Sequence, residues 1–171
     1  YSPREVQFLL MDVKRAEFTM YEGLPHLITG EVITGTREGI NALRWATAEM
    51  DRRYSLLRKK SNEGTFLVNI DQYNQFVENV NERLPKIVII IDELSDFMLA
   101  NKAEVEGRIQ TLTQKARAAG IYLIVSTSQI SPEVLTGVVR ANFPTKVAFG
   151  VASEMESRMI LNCAGAQALL G

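Results

Sequence analysis

The sequence predicts an α/β domain with a mostly parallel central sheet flanked by helices. Three observations carry that reading. Apolar runs of strand length recur at Val6–Met11 (VQFLLM), Lys86–Glu93 (KIVIIIDE) and Ile121–Ser126 (IYLIVS). Stretches of helical period separate them, so strands alternate with helices along the chain. The runs are continuous rather than alternating, which suits strands covered on both faces.

Taken in order, Val6–Met11 is a strand that ends at Asp12. A loop-rich stretch with Gly23, Pro25 and Gly30 follows, and Glu31–Ile33 suits a short strand. Thr36 is a candidate cap for a long helix to about Lys60. In it Ile40, Leu43, Thr47, Met50, Tyr54 and Leu57 recur at intervals of three and four, with Arg44, Asp51, Arg52 and Arg58 off that stripe. Ser61–Gly64 reads as a turn. Asp71–Leu84 suits a second, more polar helix that Pro85 stops. Lys86–Glu93 puts five consecutive β-branched residues before two acids, the pattern of a central strand. Lys102–Ala119 is helical, with Val105, Ile109, Leu112 and Ala116 on one face and Gly120 just past its end. Ile121–Ser126 is the next strand. Ser131-Pro132-Glu133 opens a further helix, with serine as cap and proline in the first turn. Lys146–Val151 reads as a strand, and Ser153 with Glu156 forms a capping-box pattern for a helix through about Cys163.

Composition narrows the function classes. A chain of 171 residues is one domain or a substantial piece of one, and its 46% hydrophobic share is enough for a real core. Net charge is -1, so any contact with nucleic acid must come from local basic residues or from surfaces repeated around a ring. One cysteine, Cys163, excludes an internal disulfide framework and favours a reducing compartment; its apolar helical setting suits a buried small hydrophobe. One histidine, His26, and no His/Cys cluster argue against a zinc site. No apolar run reaches the length of a membrane span, and no signal peptide is visible. The abrupt start at Tyr1 and the finish in mid-pattern are those of a piece of a longer protein.

Chemistry concentrates at Asp92 and Glu93. In open α/β sheets ligands bind beyond the carboxyl ends of the strands. Two adjacent acids there can divide labour. The first holds a magnesium ion, usually through water. The second orients or activates the water that attacks a γ-phosphate. This is the Walker B arrangement of phosphate-loop ATPases; the alternative is a buried strand that ends in solvated acids. The partner motif G-x-x-x-x-G-K-[ST], whose amides and lysine cradle phosphates, is absent from these residues. The chain alone is therefore expected not to hydrolyse ATP efficiently.

Seven blocks, in order, resemble the motor domain of the FtsK/SpoIIIE family of DNA translocases. They are FLLMDVKRAEFTMYEGLPHL at 8–27, NALRWATAEMDRRY at 41–54, IVIIIDELSDFM at 87–98, QKARAAGIYLIVST at 114–127, VLTGVVRANFPTKVAF at 134–149, SRMIL at 157–161 and GAQALLG at 165–171. The resemblance covers residues 1–171 as one domain. It implies a RecA-like phosphate-loop core from which the first strand and its loop are missing. It implies ATP and Mg2+ as cofactors, a homo-hexameric ring around double-stranded DNA, and ATP-driven translocation. It also implies a bacterial motor domain facing the cytoplasm, with any membrane anchor elsewhere in the parent. By position Asp92 is the magnesium residue and Glu93 the catalytic glutamate. Arg117, in QKARAAG, matches an arginine finger that acts on a neighbour's nucleotide; its other reading is a helix-terminal arginine favoured by the dipole. Asp12 and Lys14 match a strand-end D-P-K element with Val13 in place of proline, for positioning near the nucleotide or the subunit boundary; a local surface ion pair is the alternative. His26 sits in a matching PHL segment and suits a hydrogen-bonded structural role.

Departures from the family pattern bear on the cargo. Where T-Q-R-P is usual, Thr127 is followed by Ser128, Gln129 and Ile130. A hydroxyl, Ser128, thus stands where an amide would sense phosphate, and neutral Gln129 where a basic residue would face DNA. Glu154 occupies a position that is often basic. Arg140 and Arg158 remain candidates for DNA phosphate contacts, or solvated helix charges. A related ring ATPase that moves a non-DNA substrate, such as protein in secretion, is the competing function. A non-catalytic assembly module is the third; Glu93 and Arg117 together argue against it.

Overall fold

A computed structural model describes residues 1–61 and 66–170, so the turn read at Ser61–Gly64 lies, but for Ser61, outside the described residues. Three parallel strands form the sheet: β1 (Val6–Asp12), β2 (Lys86–Asp92) and β3 (Ile121–Val125), in the order β1-β2-β3. Their register sets Asp12 opposite Asp92 and Ile91 opposite Val125. All three carboxyl ends therefore emerge along one edge of the sheet.

Sequential parallel strands need right-handed crossovers, so both connecting helices fall on one face. These are α1 (Thr36–Ser61) and α3 (Leu94–Lys115). Beneath them Ile87, Ile89 and Ile91 of β2 are at most 1% exposed and pack with Leu43, Met50, Phe97 and Ile109. Burying each isoleucine contributes roughly 1.5–3 kcal/mol. The helices approach closely at Gly39, where an added Cβ would lie 2.2 Å from the Phe97 ring. The opposite face is covered only in part, contrary to the expectation of burial on both sides. A small cluster of Leu10, Leu27 and Val32 covers β1, while Val88 and Ile90 are half-buried and Ile124 is 54% exposed.

Several element boundaries differ from the sequence reading. Helix α1 begins at Thr36 itself, so Thr36 is not its cap. The strand expected at Glu31–Ile33 reduces to one parallel bridge between Met11 and Ile33. The second helix, α2 (Ile70–Phe76), stops eight residues before Leu84, and a 3-10 turn at Val80–Glu82 replaces the rest. The helix expected from Lys102 starts at Leu94, with a break at Asn101 (φ -158, ψ 77). Asn101 accepts from the Glu104 amide at 3.3 Å and recaps the second segment, the one whose periodicity the sequence displays. Ser131 opens a turn rather than a helix; α4 (Gly137–Asn142) is capped by Thr136, which accepts from the Val139 amide. Helix α5 (Glu154–Leu161) carries the expected Ser153–Glu156 capping box but ends before Cys163, which is exposed rather than buried.

The strand expected at Lys146–Val151 does not form, although Val147 and Phe149 are 74% and 83% exposed. A strand needs a ladder partner, and β3 is paired only with β2. An apolar cavity of about 380 Å³ separates β3 from this segment, lined by Ile124, Leu135, Phe143, Val147 and Phe149 among others.

Arg53 is a further departure. It lies one residue off the predicted stripe and is 1% exposed. Its Nε donates to Glu49 at 2.7 Å, and its Nη1 donates to the carbonyls of Pro85 and Ala119, both at 2.8 Å. One guanidinium thus ties α1 to the turns entering β2 and β3. The second turn needs Gly120, which has φ +70 and an Ile70 methyl 2.1 Å from where a Cβ would stand. Arg53→Ala leaves the buried Ala119 carbonyl and the half-buried Pro85 carbonyl without this donor beside a cavity, and is expected to lower stability by about 2–4 kcal/mol in urea unfolding. An effect within 0.5 kcal/mol of zero, the size of an ordinary surface substitution, would remove this role.

Candidate functional site

Three strand ends supply the site. Asp92 closes β2 and accepts from the Ser126 hydroxyl, just past β3, at 2.8 Å. Glu93 then turns the chain with φ 62 and ψ 78, a left-handed conformation that a non-glycine residue adopts only when its surroundings hold it. What holds it is visible: the Ser126 amide donates to Ile91 at 2.9 Å, and the Leu94 amide donates to Ser126 at 2.8 Å. The turn brings the Glu93 side chain back over the sheet edge, where the residue is 4% exposed.

Donors from all three strand ends converge on that carboxylate. Lys14, past β1, donates to Oε2 at 2.9 Å. Ser95 and Thr127 donate to Oε1 at 2.7 and 2.6 Å. Ser128 donates to Oε2 through its amide at 3.1 Å and through its hydroxyl. Burial pushes the Glu93 acid upward, but the hydrogen bonds from Ser128, Thr127, Lys14 and Ser95 outweigh it and hold Glu93 well below the usual carboxylate range. Glu93 is therefore ionised, and the alternative of two solvated acids at a strand end does not describe it.

Asp12 is fully buried beside Asp92 in the register. Its Oδ2 accepts from the amides of Glu17 and Phe18, both at 2.9 Å, which shapes the loop carrying Lys14. Burial raises the Asp12 acid, yet the amides of residues 15–18 bring it below its ordinary value. Lys14 thus reaches Glu93, 79 positions away, rather than a local partner.

The remaining sequence candidates separate. Ser128 and Gln129 belong to the loop after β3 at the site. Arg140 lines the apolar cavity whose rim includes Leu94, Ser126 and Thr127. Arg158 is tied to Glu154 at 2.7 Å, one helical turn away on α5. Arg117 lies at the other edge of the sheet, two residues past α3 and four before β3, exposed and without an ion pair among the described residues. His26 meets the Tyr1 carbonyl at 3.1 Å and serves the start of the chain.

Oxygen donors suited to a hard cation are present at Asp92, whose carboxylate lies at the carboxyl edge of β2 with Ser126 on one oxygen. No cluster of three or more metal-ligating residues exists among the described residues. A single carboxylate fits magnesium held largely by water and phosphate oxygens, and does not fit a protein-caged metal. A larger cleft of about 710 Å³, lined by Arg15, Glu31, Glu38 and Trp45, lies over β1 and α1 and includes neither acid.

Comparisons with known proteins bear on this arrangement. The FtsK/SpoIIIE family profile matches residues 1–132. A DNA translocase FtsK of Caldanaerobacter subterraneus subsp. tengcongensis is 46% identical over 170 residues, covering 99% of this chain and 23% of that protein. The DNA translocase SftA of Bacillus subtilis is 43% identical over 171 residues, again covering 99% of this chain but 17% of the relative. The chain thus spans about a quarter or less of the curated relatives it matches. Among solved structures, the pCW3 conjugation coupling protein TcpA with ATPγS superposes with a TM-score of 0.76 at 25% identity, over 96% of this chain and 46% of that one. The type VII secretion ATPase EccC of Thermomonospora curvata gives 0.77 at 23% identity, over 99% and 20%, a likeness of fold alone. The fold is the parallel α/β arrangement of a RecA-like phosphate-loop core.

Proposed function

The chain belongs to the FtsK/SpoIIIE family, and from that premise we propose that it is part of the motor domain of a ring-forming, ATP-driven translocase of double-stranded DNA. The observation that carries the reading is the buried Glu93 carboxylate, met by donors from three parallel strand ends and adjacent to Asp92. Asp92 would hold the magnesium ion of bound ATP, which supplies charge neutralisation at the phosphates. Glu93 orients a water and takes its proton. Arg117 contributes positive charge to the nucleotide of a neighbouring subunit.

The phosphate cradle is assigned to another part of the parent polypeptide, because G-x-x-x-x-G-K-[ST] does not occur in these residues. Its strand has a ready place. The outer edge of β3 carries unpaired backbone groups, and Ile124, Val147 and Phe149 expose apolar surface on either side of the cavity. A parallel strand laid there would pair with β3, give residues 146–151 the ladder they lack, and deliver its following loop beside Ser126 and Thr127.

Likeness of fold to a secretion ATPase does not select a cargo. The identity of 43–46% to proteins named DNA translocases favours DNA over a protein substrate. ATP turnover by the full-length protein is expected to rise with linear duplex DNA. Duplex binding should fall steeply as salt rises, because released counterions drive phosphate contacts. Turnover that ignores duplex at low salt, with no salt-sensitive binding, would sink the DNA reading and leave the protein-moving alternative.

A further inference from the structure

Two oxygens of Glu93 receive five donors: Ser95 and Thr127 on Oε1, and Lys14, the Ser128 amide and the Ser128 hydroxyl on Oε2. A carboxylate offers about four lone-pair positions. Every one is therefore taken, and a water can donate to Glu93 only after a present donor leaves.

The donors differ in what leaving costs them. Ser95 is 5% exposed, and turning it away from Glu93 would strand a buried hydroxyl. Lys14 has a side chain 51% exposed, and Ser128 is exposed, so both can exchange the carboxylate for water. Both act on Oε2. They also come from different strand ends, the loop after β1 and the loop after β3. Oε1 is the anchored oxygen and Oε2 the releasable one.

We propose that Lys14 and Ser128 are positioning residues that hold Glu93 Oε2 in a resting state, and that their withdrawal frees it to accept from the attacking water while Ser95 and Thr127 keep the side chain in place. This rests on the reading of Glu93 as the residue that activates water. It gives the Ser128 hydroxyl a partner within the protein, in place of the phosphate contact that its position in the sequence suggests.

The test uses the full-length protein. Ser128→Ala and Lys14→Met are expected to raise ATP turnover in the absence of DNA by roughly ten- to a hundred-fold each, the effect of removing one charge-assisted hydrogen bond. Lys14→Arg, which keeps a cationic donor, should restore low turnover. Adding Glu93→Gln to Ser128→Ala should abolish the rise. Unchanged or reduced DNA-free turnover in both variants overturns the proposal, as does a rise that survives Glu93→Gln or one that Lys14→Arg shares with Lys14→Met. If Glu93→Gln alone turns over like wild type, it is the role of Glu93 that fails. If Glu93→Gln is inactive and the other two variants behave as wild type, only the holding role fails.

Discussion

Glu93→Gln in the full-length protein is expected to bind ATP and to lose turnover by about 10²–10⁴-fold, the range for removing a positioned general base. The side chains are nearly isosteric, so the turn at Glu93 and the start of α3 should survive. Amide oxygen in the Oε1 position can still accept from Ser95 and Thr127. The amide nitrogen would then face three donors, of which the Lys14 ammonium and the Ser128 hydroxyl are exposed enough to turn to water while the Ser128 backbone amide stays in place. A small fall in melting temperature with intact nucleotide binding separates lost chemistry from lost folding. What the substitution removes is the negative charge that accepts a proton, and no neighbour can replace it. Asp92 is the nearest acid in the chain, but its Oδ1 accepts from Ser126 and its assigned role is the cation. Single-turnover hydrolysis with enzyme in excess of ATP is the measurement, since it isolates the chemical step from product release. Wild-type rates in the variant would remove Glu93 from catalysis.

How much of this was legible without coordinates follows from the range of each interaction. The strands β2 and β3 are written locally, as continuous apolar runs rich in β-branched residues, and the acids after β2 are legible because position after a strand implies position at the sheet edge. The donors to Glu93 were not. Lys14 and Ser128 lie 79 and 35 positions from it, and only the parallel register brings their loops together. The D-x-K match at Asp12 and Lys14 points to a position near the nucleotide, but the contact with Glu93 depends on the register that sets Asp12 opposite Asp92. Arg53 was missed because a polar residue one step off a helical stripe reads as solvated, while the two carbonyls that receive it come from Pro85 and Ala119. The strand at Lys146–Val151 was read from its composition, and composition does not supply a pairing partner.

Arg117→Ala should reduce turnover by about 10³–10⁵-fold, the magnitude attached to an arginine finger, while leaving the fold intact. Its place in the sheet explains both halves of that expectation. Arg117 follows α3 and precedes β3, whereas Glu93 follows β2 at the opposite edge. The five residues of β3 alone set these edges roughly 16 Å apart at ~3.3 Å per residue. An arginine side chain extended along that strand falls well short of Glu93 in its own subunit. Arg117 is exposed and makes no ion pair among the described residues, so truncation removes no internal salt bridge described for the fold. If it acts on phosphate, it acts on a neighbour's, which requires a head-to-tail interface of the kind that closes rings. Mixing experiments follow from that geometry. Arg117→Ala protein keeps Glu93, and Glu93→Gln protein keeps Arg117. Random assortment of the two in equal amounts gives roughly a quarter of interfaces with both groups intact, and turnover should reappear in proportion. Mixed rings that form and stay inactive would show that Arg117 serves its own subunit's structure, and the dipole-favoured position at the end of α3 would then be its whole account.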